Sequence, residues 1–153
     1  ECKDKFFKNY YGAAADIMEE YYNQLRQWEM YLESVRDYGL GGGIYEEIGL
    51  TTNPHFWPRE MLEGWLAMMD RAYKAVGYLE LEDPALYRKL VKHIKIESLF
   101  PRYALCTLHE SSYTASELLK LRKEFKADGD ELGLVEHKEH DYITTIYKEW
   151  GLI

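Results

Sequence analysis

The sequence predicts an all-α domain: a helical bundle of about four long helices, short helices at each end, and one long loop rich in glycine and aromatic residues. Three observations carry this expectation. Apolar residues recur at steps of three and four over most of the chain, the spacing of one helix face. Helix start and stop residues bracket those stripes. No period-two alternation of useful length occurs, apart from a short extended piece around Leu134-Val135. The 153 residues are read as one domain, 1–153. A chain of this length buries about 70% of its unfolded surface and needs neither disulfide nor metal to fold.

Phe6, Phe7, Tyr10 and Tyr11 form a short first helix, closed by Gly12, which can adopt the left-handed cap. Ala14, Ile17, Tyr21, Leu25, Trp28, Leu32 and Val35 then make one long apolar stripe. A second stripe runs Leu62, Trp65, Met69, Ala72, Val76 and Leu79, with Pro58 in the first turn, where its missing N–H leaves nothing unsatisfied. Asp83-Pro84 is an N-cap followed by proline and opens a third stripe through Leu86, Leu90, Ile94, Leu105 and Leu108. Pro101 lies inside this helix and predicts a kink or a break, because proline removes a helix hydrogen bond and crowds the preceding turn. Thr114 and Glu117 have capping-box spacing and place the start of a fourth helix near Ala115. Its stripe of Leu118, Leu121, Phe125 and Leu132 keeps phase across Asp128-Gly129-Asp130, so it continues to Gly133. Tyr142, Ile143, Ile146, Tyr147 and Trp150 make the last short helix.

Hydrophobic residues are 46% and charged residues 30% of the chain, ordinary globular usage that excludes wholesale disorder. A net charge of −8 and a pI near 5.2 repel phosphate backbones and argue against a nucleic-acid partner. No run of about 18 apolar residues is present, so no membrane span is expected. The chain begins with Glu1 and has no signal-peptide pattern, which reads as a processed or excised piece. Cys2 and Cys106 leave pairing open. Cys106 lies in an apolar run and reads as a small buried hydrophobe.

Several residue sets invite chemistry. A di-iron bundle needs Glu-x-x-His pairs on facing helices, and no histidine here has a glutamate three residues before it. His137 and His140, within Glu136–Asp141, could share a helix face, but two histidines leave a zinc site short; a charged helix start accounts for them. Glu19-Glu20 and Glu46-Glu47 are paired carboxylates, and nothing isolates either pair as a glycosidic acid and base. His109 with Ser111 and Ser112 reads as turn chemistry rather than a triad. Gly41-Gly42-Gly43 lacks the Lys-Ser/Thr ending of a phosphate loop. No catalytic residue, metal ligand or cofactor is assigned.

Asp37 to Trp57 carries no helical stripe, has five glycines, and contains Tyr38, Tyr45, His55, Phe56 and Trp57. Loops this long in a compact domain are usually functional or disordered. Its aromatic faces could stack on sugars or cover a neighbouring surface. For Phe56 and Trp57 a staple of the loop to the start of the next helix is the stronger reading, while Tyr38 and Tyr45 stay open. These five residues are the ligand or interface candidates.

The run Phe6-Phe7-Lys8-Asn9-Tyr10-Tyr11-Gly12-Ala13-Ala14-Ala15, followed by a Tyr-rich helix, resembles the opening of a helical region in large secreted proteins of polysaccharide-degrading bacteria. These form a family known as a domain of unknown function, in which a glycoside-hydrolase-like TIM barrel precedes an all-helical part. Glu97-Ser98-Leu99-Phe100-Pro101-Arg102-Tyr103, Leu132 to Leu134, and Tyr147 to Gly151 are similar to later parts of that region. A related helical tail follows the barrel of bacterial α-glucuronidases. The resemblance spans most of the chain, and its motifs are structural elements, so it transfers no catalytic residue. It implies a C-terminal, non-catalytic accessory domain of an extracytoplasmic glycoside-hydrolase-like protein, with a catalytic barrel as partner or a role in dimerisation. An independent carbohydrate-binding module with a glycan partner is the second reading, and a stand-alone bundle enzyme or metalloprotein the third.

Overall fold

The computed structural model describes residues 2–35, 53–138 and 141–153, and over them the chain is all-α with almost no strand. Helix α1 (Cys2–Tyr11) meets a 3₁₀ turn at Gly12–Ala14 and then α2 (Ala15–Val35). The reversal depends on Gly12, whose φ of +56° is open to glycine, and whose Cα lies under Leu90: a Cβ there would sit 2.8 Å from Leu90 Cδ1. Helix α3 (Arg59–Val76) follows, with Pro58 at its N-cap, one position earlier than expected. The second predicted stripe is interrupted after Val76, and Leu79 belongs to a separate one-turn helix, α4 (Leu79–Glu82).

Helix α5 (Pro84–Leu108) starts as read, with the Asp83 carboxylate accepting the Leu86 N–H at 3.0 Å. Of the kink or break expected at Pro101, the break does not occur: the helix runs on through the proline. The proline removes one N–H, while its ring is buried and the flanking Ser98, Ala104 and Leu105 are packed on the same side. Tertiary packing holds the helix where propensity alone would let it part. Helix α6 (Ala115–Leu132) has the predicted capping box at Thr114 and Glu117 and ends at Gly133, φ +74°. Two short strands follow, β1 (Glu136–Lys138) and β2 (Asp141–Tyr142), paired antiparallel, before α7 (Ile143–Glu149). Asp141 lies two residues before Ile143, near the N-terminus of α7 as expected, while Glu136–Lys138 is strand, and β1 directly follows Leu134-Val135, around which the short extended piece is expected. His137 stands on a strand, and His140 lies outside the described residues.

The core has two parts joined by α5. The larger collects Tyr11, Met18 and Tyr21, then Leu62, Trp65 and Met69 of α3, against Leu90, Ile94 and Leu105 of α5. The smaller holds Cys106, Phe125, Ile143, Ile146, Tyr147 and Trp150. Each fully buried large apolar side chain contributes roughly 1.5–3 kcal/mol of transfer free energy. Among the described residues no helix is long and apolar enough to cross a membrane.

Candidate functional site

Of the five candidate residues, Tyr38 and Tyr45 lie outside the described residues, and His55, Phe56 and Trp57 fall in the turn that enters α3. That turn is firmly anchored. Asn53 accepts the His55 N–H through its side chain at 2.9 Å and the Phe56 N–H through its carbonyl at 3.0 Å. The Trp28 indole N–H, from α2, donates to the Phe56 carbonyl at 2.8 Å. His109, at the end of α5, donates from Nε2 to the Trp57 carbonyl at 2.7 Å, the carbonyl being able only to accept. The Trp57 ring is only 7% exposed and meets Phe100 edge-on, centroids 5.1 Å apart. Trp57 is thus a staple between α3 and α5 and offers no free face to a sugar.

His55 is exposed and sits edge-on to Phe56 at 71°, so the two rings form no shared stacking platform. Partly exposed aromatic groups from two helices instead form a rim beside residues of this turn and its anchor, Phe100 of α5 against Trp57 and Tyr31 of α2 against Trp28. Phe100 is 41% and Tyr31 45% exposed, and Tyr31 leans on Trp28 with centroids 4.8 Å apart. Behind this rim, Glu63 accepts from Arg59 Nε at 2.7 Å and from the Tyr113 hydroxyl at 3.1 Å, while the Arg59 guanidinium lies over the Tyr113 ring.

A second polar constellation was not singled out from the residues' own chemistry. The Glu97 carboxylate accepts the Tyr22 hydroxyl at 2.7 Å and the Tyr11 hydroxyl at 3.1 Å, tying α1 and α2 to α5. Tyr10 stacks on His93 with centroids 3.7 Å apart and planes within 6°. The His93 Nδ1–H donates to the Tyr10 carbonyl at 2.7 Å. Burial, aided by the Glu97 charge, holds the Tyr11 phenol far above its ordinary range. Burial pushes Tyr22 up to about 12. Both phenols therefore stay protonated and donate; the cluster is a latch rather than an acid–base pair at neutral pH. Periodicity places Tyr11 and Glu97 on apolar faces, and their separation along the chain hides the pairing.

The remaining sets disperse. His109 engages Trp57, Glu110 pairs with Arg122 at 2.8 Å, and Ser112 belongs to a 3₁₀ turn, so no triad forms there. Glu19 pairs with Lys3 at 3.0 Å, whereas Glu20 accepts from Gln24. Glu46-Glu47 lies outside the described residues. Among the described residues no group of three His, Cys, Asp or Glu side chains is placed to hold a metal ion. Both cysteines are free; Cys2 is exposed, and burial raises the Cys106 thiol to about 11. No family model, curated protein or solved structure matches the chain.

Proposed function

We propose that this chain is a non-catalytic helical accessory domain of an extracytoplasmic glycoside-hydrolase-like protein, serving as a scaffold or interface to a catalytic barrel. The observation that supports it is that partly exposed aromatic groups flank the anchored turn: Phe100 packs on Trp57, and Tyr31 packs on Trp28, whose indole N–H bonds the Phe56 carbonyl. Rigid, partly exposed aromatic groups lose little entropy when covered, which suits a docking surface. The resemblance of the Tyr10-Tyr11-Gly12 opening supplies the protein class. In this reading that motif is architectural, since Tyr11 is fully buried and Tyr10 is stacked on His93.

The second reading, an independent glycan-binding module, would rest on Tyr38 and Tyr45. Titration of the chain with a panel of oligosaccharides, followed by tryptophan fluorescence and calorimetry, separates the two. The accessory-domain reading predicts no saturable signal. Saturable binding that is lost in Tyr45→Ala replaces it with the glycan-binding module.

A further inference from the structure

The first half of α5 is cationic in an acidic chain. From Pro84 to Ile96 it carries Arg88, Lys89, Lys92 and Lys95 and no Asp or Glu, although the net charge of the protein is −8. Lys95 is held by Asp128 and Glu131 of α6, whereas Arg88, Lys89 and Lys92 are exposed and form no ion pair among the described residues. Lys92 lies three residues from Lys89 and four from Arg88, and like charges at that spacing weaken a helix. On α6, by contrast, Lys120 and Lys126 each pair with a carboxylate four residues on. The repulsion on α5 is left for an outside anion to relieve.

Exposed apolar groups lie beside these cations. Leu86, Lys89, His93 and Ile96 follow one another at steps of three and four on one face of α5, and Leu86 is 38% and Ile96 42% exposed. Tyr10 of α1 stacks on His93, and Phe6, 50% exposed, stacks in turn on Tyr10 with centroids 5.3 Å apart. The face is thus two helices wide and sets apolar side chains among free cations, the composition of a surface that lies on an anionic bilayer. A small soluble anion would meet the charges and leave Phe6 and Ile96 in water. Glu80, Glu82 and Asp83 precede the helix, and charges beyond about 8 Å are screened at physiological salt, so a bilayer senses the face turned to it rather than the net charge. We infer that the α1–α5 face docks on anionic phospholipid, with Phe6 and Ile96 in the interface and Arg88, Lys89 and Lys92 at the headgroups. It uses neither Phe100 nor Tyr31 and is independent of the accessory-domain reading.

The test is flotation of the full chain with vesicles of phosphatidylcholine, alone or with about one third phosphatidylglycerol. The expected result is binding to the anionic vesicles at least about tenfold tighter than to the neutral ones, and weakened by added salt. Lys89→Glu with Lys92→Glu, both at exposed positions, should weaken it at least about 25-fold, roughly fivefold for each cation lost, with the circular dichroism spectrum retained. Phe6→Ser with Ile96→Ser should weaken it at least about tenfold, because both side chains lose their transfer into the interface. Lys120→Glu with Lys123→Glu on α6 makes the same change of net charge away from the face and should leave binding within about twofold. The proposal is overturned by absence of binding to anionic vesicles, by equal binding to neutral ones, by binding that survives either the lysine pair on α5 or the apolar pair, or by an equal loss from the α6 pair. Binding of polyglutamate without binding of vesicles would also overturn it and give the face to an acidic protein.

Discussion

Gly129 lies directly beneath the Tyr147 hydroxyl: a Cβ at position 129 would come within 2.6 Å of that oxygen. The glycine in the last turn of α6 is thus required by a contact from α7, and its carbonyl also accepts the Leu134 N–H at 2.8 Å. Helix propensity alone favours alanine over glycine by about 1 kcal/mol.

Gly129→Ala should therefore destabilise the chain by about 1–3 kcal/mol, the range for overpacking a filled site. In a Tyr147→Phe background the clash is gone, and the same substitution should become neutral or stabilising. Tyr147→Phe alone should be close to neutral, because its hydroxyl is buried without a hydrogen-bond partner among the described residues. Urea unfolding of the parent chain and the three variants reads the reversal of sign directly.

Glu97 is the shared acceptor of two phenols, and removing it leaves both donors buried. Glu97→Ala should cost about 2–3 kcal/mol and Glu97→Gln less, since an amide oxygen still accepts. Tyr22→Phe should soften the effect of Glu97→Ala, giving a coupling of at least about 0.5 kcal/mol in a double-mutant cycle. Strict additivity would remove the latch from the account.

The same cluster sets an alkaline limit. The folded-state pKa values of Tyr11 and Tyr22 are raised, through burial first. Their stabilising contribution is complete below the unfolded tyrosine value near 10 and is lost as pH climbs from there through the folded values, because only the unfolded chain ionises first. Stability should hold to about pH 9.5 and then decline. Tyr11→Phe with Tyr22→Phe should flatten that decline, as denaturation midpoints measured between pH 9 and 12 would record.

Trp65 is 1% exposed, edge-on to Tyr21, and bonded from its indole N–H to Gln24 at 3.1 Å. Trp65→Ala should cost about 3–5 kcal/mol. A loss below about 1 kcal/mol in chemical denaturation would contradict its place at the centre of the larger core.

Much of the fold was legible because its determinants are local. The Asp83 cap, the Thr114–Glu117 box and the αL glycines at 12 and 133 each act over a few residues, and each stripe reports one helix face. What escaped was set by distant partners. Pro101 is held in a continuous helix by packing from other elements. Glu136 and Lys138 pair across strands with Tyr142 and Asp141, a contact that the charge pattern does not register. For Trp57 the staple is the stronger reading of the sequence, but its partners His109 and Phe100 are not legible there, and the Tyr11–Glu97 contact joins residues 86 apart in the chain. Local spacing registers neighbours three or four residues away, and these contacts span far more.

The most direct test of the accessory-domain account is calorimetric titration of this chain with a glycoside-hydrolase-like barrel, the partner that the account proposes. The account predicts saturable one-to-one binding that Phe100→Asp and Tyr31→Asp each weaken at least about tenfold, as expected for aromatic groups at the centre of an interface. Binding unaffected by both substitutions, or no binding at all, would contradict it.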